Sequence, residues 1–342
     1  MKKTVIITLL STIVLSTCTM VTVYGSTAMF QSIAQAALRQ SPAASLVIPS
    51  LSTTQIPWLS TTQLVGLNQS QIQAFTTDQL GALKSTQIQA FTPAQIPYFT
   101  GAQLGTLLTS ANSLTQNQVA ALTANQMSSL NATQISHLNL YQASLSPNAI
   151  AAIQPTAVSK LYAPTLTPDQ LKALTASQVG PLTDSLSATE IGSLSPAAVV
   201  GLDIAKLPTT QLKALSQDQM AALTPAQIAS MTTTQIAALA DHQIQALGSA
   251  GKLGSLPAVA ELYPIIIGSA LSVQGGPNNT SMFAQLTPAQ LDAISYVLKP
   301  ADLGRFVMAL SAPQCNTTFK NTVNTIINNN PNLNFIRLPW NH

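Results

Sequence analysis

Apolar residues recur along most of this chain in a fixed eight-residue phrase: Ser or Thr, two variable residues, Gln, Ile/Leu/Val, two variable residues, Leu or Phe. The phrase runs unbroken over Ser52–Leu107 and returns over Pro208–Leu247. The two apolar slots, five and eight, lie three residues apart. On a strand they would face opposite sides, so the pattern excludes a sheet. On one continuous helix each octad would rotate the apolar pair by roughly 80°, and no stripe would form. The spacing instead predicts one short helix of about five to seven residues per octad, then a sharp break. Each unit is too small to bury its own apolar pair and must stack on others, the signature of a solenoid.

Slot one is a good helix N-cap and slot four completes a capping box. In Thr224-Pro225-Ala226-Gln227-Ile228 the Thr oxygen accepts the Gln main-chain N–H, while the Gln side chain reaches back to the Thr N–H. Proline, favoured at the first helical position, fills slot two at Pro93, Pro147, Pro155, Pro168 and Pro196. Asp78, Asp169 and Asp218 fill slot three, where the positive end of a helix favours an acid. Pro57, Pro97 and Pro181 sit late in their octads and shorten the helices there to a turn. The rhythm slips at Leu108–Leu114 and Asn139–Leu145, at Tyr162–Leu166 and Asp203–Leu207, and at Thr183–Leu186. Each slip still ends on Leu, which marks it as a corner of the superhelix.

The fourth-slot glutamines are Gln55, Gln63, Gln71, Gln79, Gln87, Gln95 and Gln103 in the first run, and Gln211, Gln219, Gln227, Gln235 and Gln243 in the second. Two roles compete for them. One displays the amides as a ladder for a repetitive partner. The other is structural: capping, with glutamine–glutamine hydrogen bonds between neighbouring rungs. The capping box explains the slot itself and favours the structural role. Glu190 replaces Gln once; Ala149, Ala157 and Ala198 replace it in the less regular middle.

These patterns divide the chain into an export leader (1–25), a capping helix and linker (26–50), the octad solenoid (51–256) and a small helical C-terminal region (257–342). The fold class expected is all-α. The leader pairs Lys2-Lys3 with the uncharged stretch Val5–Tyr24 and admits three fates. Cleavage after Gly25 would secrete the chain. Acylation of Cys18 in the lipoprotein-like box Leu15-Ser16-Thr17-Cys18 would tether it. An uncleaved leader would anchor it. Each places the body outside the cytoplasm, with membrane contact only through the leader or a lipid. A capping helix is expected over Ser26–Arg39 with Met29, Phe30, Ile33 and Ala36 or Ala37 on one side, the side that would cap the first repeat, and residues 40–50 read as linker. In the C-terminal region three helices are expected: Thr287–Leu298, Pro300–Leu310 and Pro313–Asn329. The apolar Phe335–Trp340 is expected to pack on them.

Only 7% of the 342 residues are charged, against about 25% in an ordinary soluble protein. Without Lys2 and Lys3 the balance is 11 basic to 10 acidic residues, leaving no basic face for nucleic acid. Beyond the leader Cys315 is the sole cysteine, so no internal disulfide can form. Asn68, Asn131, Asn278, Asn279 and Asn316 head glycosylation sequons, at a frequency expected of this composition. His137, His242 and His342 are scattered, and Asp241-His242 occupies ordinary octad slots. No metal-ligand spacing, phosphate loop or nucleophile elbow occurs, so no enzyme, cofactor or metal is expected. Gly248–Lys252 reads as the break that ends the second run.

Leu223–Ile228 resembles the opening of the DNA-reading repeats of transcription-activator-like effectors, but the period here is eight and their Gly-rich reading loop is missing; the likeness is confined to the capping box. Thr232–Leu239 is similar to short tandem repeats of large exported, adhesin-like bacterial proteins, over roughly Ser52–Leu247. That resemblance implies architecture and surface exposure and carries over no site residue. The function expected is therefore non-enzymatic: an extended surface for adhesion or protein binding, or, as the alternative, a structural spacer.

Overall fold

The computed structural model of the chain describes residues 27–108, 114–257 and 317–328. Two compact units divide it, Met1–Ala173 and Leu174–His342. Helices are the regular elements among the described residues, and each unit is an all-α repeat solenoid of very short helices packed in succession.

One octad shows how the break is made. Ser60 is extended (φ −76°, ψ 155°) and caps the five-residue helix Thr61–Val65. Thr76 does the same for Thr77–Gly81, as Thr224 does for Pro225–Ala229 in the second unit. Slot eight is extended as well: Leu59 has φ −59°, ψ 131°. Two adjacent extended residues thus turn the chain, and no left-handed glycine is needed. Among the described glycines only Gly251 has positive φ, at 72°. Where proline falls late, the helix tightens to 3₁₀ turns at Ile56–Trp58 and Pro93–Tyr98, whereas Ala176–Leu182 stays helical through Pro181.

In each unit a helix packs against the helix three octads later. In the first unit Thr61–Val65 meets Ser85–Ile88, and Thr77–Gly81 meets Gly101–Leu107. In the second, Thr209–Leu212 meets Thr233–Ala237, and Gln217–Ala222 meets Asp241–Ser249. One superhelical coil therefore takes between three and four octads. Slots five and eight fill the core: Ile72, Phe75, Ile96 and Phe99, like Leu212, Leu215, Ile236 and Leu239, are buried. Each such side chain contributes about 1.5–3 kcal/mol relative to exposure. Phe91 and Phe99 meet edge to face at 5.0 Å. Coils approach closely enough that a Cβ on Gly201 would lie 1.8 Å from the Ala176 carbonyl oxygen.

Three expectations are corrected here. Residues 42–51 are no linker: they form two 3₁₀ turns, Ala43–Ser45 and Ile48–Ser50, and bury Leu46 and Ile48 in the first coil. The N-terminal helix spans Thr27–Gln40, but Ile33 is 44% exposed rather than inward. Gly248–Lys252 does end the helix Asp241–Ser249, with Gly251 at positive φ, but the octads do not stop there: Leu253 and Leu256 beyond it are buried as in any octad. In the C-terminal region the helix Thr317–Asn328 is described, with Val323 buried. The two other expected C-terminal helices, the Phe335–Trp340 segment, the leader with Cys18, and Cys315 lie outside the described residues.

Candidate functional site

A five-residue helix leaves most of its main-chain donors and acceptors without an intrahelical partner. Its donors are met locally. Thr76 Oγ1 accepts from Gln79 N (3.2 Å), and Gln79 Oε1 accepts from Thr76 N (2.9 Å). Its last carbonyls are met from another coil. Gln79 Nε2 donates to Ile48 O (2.9 Å) and Leu51 O (2.7 Å), 31 and 28 residues upstream. Gln87 clasps Ile56 and Leu59 in the same way, Gln103 clasps Ile72 and Phe75, and Gln71 clasps Ala43 and Leu46. Gln63 reaches Leu38 O and Ser41 O at the end of the N-terminal helix, which fastens that helix as the cap of the unit. Gln55 makes the capping bond to Ser52 N. In the second unit Gln219 clasps Ile191 and Leu194, Gln227 clasps Val199 and Leu202, Gln235 clasps Ile204 and Leu207, and Gln243 clasps Leu212 and Leu215.

Gln95 shows why the residue is glutamine. Its Oε1 accepts from Thr92 N (2.8 Å) and Thr92 Oγ1 (3.2 Å), and its Nε2 donates to Leu64 O and Leu67 O (2.9 Å each), with Val65 O at 3.1 Å. Two lone pairs and two N–H groups are all used, in a side chain only 4% exposed. Glutamate would have no donor for the carbonyls, and asparagine is one carbon short. The amide nitrogens go to main-chain carbonyls of another coil, not to glutamine side chains of neighbouring rungs.

Departures obey the same chemistry. Pro208 has no N–H, so Gln211 keeps only its clasp on Leu186 O (2.9 Å). Lys84 and Ala240 have no cap oxygen, yet their N–H groups still reach Gln87 and Gln243. Glu190, half-exposed, keeps the capping bonds to Ser187. Lys252 takes slot four of Ser249–Leu256 and donates its ammonium to Ala221 O (2.5 Å) and Leu223 O (2.7 Å). Those carbonyls end the helix Gln217–Ala222, where a cation is favoured. At the five-residue slips an upstream side chain accepts a main-chain N–H of the slip, and Gln142 also donates its Nε2 to Tyr162 O and Thr165 Oγ1. Gln142 Oε1 takes Tyr162 N–H (3.0 Å) in the first unit, and Thr183 Oγ1 takes Asp203 N–H (3.5 Å) in the second.

With slots four, five and eight turned inward, slots two, three and six form the outside: Thr61 and Thr62, Gln69 and Ser70, Ser85 and Thr86 are exposed. Charge is sparse there. Lys206 pairs with Asp203 at 3.1 Å; that hydrogen bond and the charges of Asp203 and Asp184 raise its pKa above the usual lysine value, at a surface position where such a pair contributes little. His137 Nδ1 lies 2.7 Å from Leu108 O, and His242 is exposed. Among the described residues no group of three His, Cys, Asp or Glu side chains could hold a metal, and no helix is long and apolar enough to cross a membrane. An open groove of about 410 Å³ lies between Gln217–Ala222 and Asp241–Ser249, with Asp218 as its ionisable wall residue.

The fold and clasps define an all-α repeat protein. Residues 201–233 and 221–249 match the ALTTAQ repeat family, in a stretch that takes in the whole second regular run. No curated protein matches the chain.

Proposed function

We propose that the chain is an exported, non-enzymatic repeat protein that presents its outer face to a protein or surface partner. The observation that carries this reading is the division of labour within the octad. Clasp and cap bury the glutamines, so recognition falls to slots two, three and six, a recurring array of hydroxyl and amide groups with little charge. Contacts that are weak singly gain from repetition, since each bound octad raises the effective concentration of the next. The Lys2-Lys3 leader supports export, and the likeness of the octads to exported adhesin-like repeats supports the surface role.

The test compares the full chain with a Thr61→Lys/Thr77→Lys/Thr86→Lys variant for retention on envelope and host-surface extracts. All three threonines are exposed, so the variant is expected to keep the parent's circular dichroism, with a slightly lower melting temperature because a cation in the first turn of a helix costs about 0.3–1 kcal/mol. Retention of the parent, reduced at least about tenfold in the variant, is the expected result. Equal retention of both would move binding away from this face. No retention of either would leave the repeats as a spacer.

A further inference from the structure

The first unit changes its fastening after Gln126: that residue and Gln118 still clasp Ile96 and Phe99, and Ile88 and Phe91, of the preceding coil. In the octads Ser146–Ile153 and Gln154–Leu161, slot four is Ala149 and Ala157, which are buried and have no amide to offer. Packing continues: Ala124–Met127 meets Pro147–Ala151, and Ala132–Ser136 meets Pro155–Val158. Of the directed bonds, Gln154 Nε2 reaches Ser128 O at 2.8 Å from slot one, a single bond where a clasp makes two. Paired clasps resume with Gln170, on Gln142 O and Leu145 O.

Two independent features fall at the same junction. Asn139 Oδ1 is buried without a hydrogen-bond partner, a condition that costs about 1–3 kcal/mol and is relieved when water enters. Leu140 and Tyr162 are 64% and 60% exposed, and beside them Gln142 holds Tyr162, its Oε1 accepting from Tyr162 N and its Nε2 donating to Tyr162 O. Apolar area already outside adds no penalty on opening.

We propose that this junction is a built-in seam: residues 146–161 lift from residues 115–138 before any other part of the first unit opens. Apolar contacts are non-directional and tolerate small displacements, whereas each clasp holds two carbonyls at fixed positions. Removing clasps while keeping the core creates a yield point without a cavity. A repeat protein under tension would lengthen there and keep its other coils closed. This inference stands apart from the binding proposal.

Hydrogen exchange on the full chain tests it. Amides of 115–130 are expected to exchange about tenfold faster than those of 60–75, which lie under the Gln95 and Gln103 clasps. Ala149→Gln restores a donor and is expected to slow 115–130 at least about threefold while leaving 60–75 unchanged. The reverse variant, Gln95→Ala/Gln103→Ala, is expected to make 60–75 exchange as fast as 115–130. Equal protection of the two stretches in the parent, or no acceleration in the reverse variant, would overturn the seam.

Discussion

Gln95→Glu is expected to destabilise the first unit more than Gln95→Ala at neutral pH, and to recover much of the loss in acid. Alanine leaves Leu67 O and the Thr92 N–H without their partner, a cost of about 2 kcal/mol or more if each orphaned group costs at least about 1, while Leu64 O keeps the main-chain N–H of Leu67. Glutamate keeps the bond from Thr92 but sets a carboxylate oxygen against the carbonyls, and adds the cost of burying a charge. Both effects favour the neutral acid, so the folded pKa of the introduced carboxyl lies above its unfolded value of about 4.3. The sign follows: the charge penalty is absent below the unfolded pKa, grows as pH rises towards the folded pKa and is complete above it. Below about pH 4 the protonated acid also supplies one O–H donor in place of two N–H groups. Urea midpoints of parent and both variants at pH 7 and pH 4 decide this. A Glu variant equally destabilised at both pH values would contradict the clasp.

Gly201→Ala is expected to cost about 3 kcal/mol in the second unit, the upper range for overpacking, because the obstacle is backbone. The added Cβ would stand 1.8 Å from Ala176 O and 2.6 Å from its carbonyl carbon, and no side-chain rotation relieves that. Gly81→Ala is the control. Its Cβ meets only Thr106 Cγ2 at 3.8 Å, an ordinary contact within a helix, so up to about 1 kcal/mol of stabilisation is expected. Thermal melts of the two variants should therefore move in opposite directions. A melt unchanged by Gly201→Ala would mean that the coils do not approach as described.

The capping half of each octad was legible in the sequence because it joins residues three apart, within one helix start. The clasp half was not, since Gln79 and Ile48 are 31 residues apart and the octad has no symbol for that distance. Slips hide it further: the offsets are 31 and 28 residues at Gln87 but 28 and 25 at Gln219. Lys252 escaped because the fold conserves a donor there while the residue type changes. Residues 40–50 read as linker because the five-residue period of 42–51 is not the octad's, although Leu46 and Leu51 still end each turn. At Ile33 the helical pattern was right and the side wrong. The N-terminal helix is fastened by its carbonyls, through Gln63, more than by its apolar stripe.

Side-chain amide exchange, followed by NMR on the full chain with ¹⁵N-labelled glutamine, tests the account most directly. Fourth-slot glutamines such as Gln79, Gln95, Gln219 and Gln243 are expected to show Nε2 protons protected as strongly as the main chain of their own helices. Gln69 and Gln73, exposed on the outer face, should exchange at the rate of a free amide. Fast exchange at the fourth-slot glutamines as well would mean that the coils are not clasped.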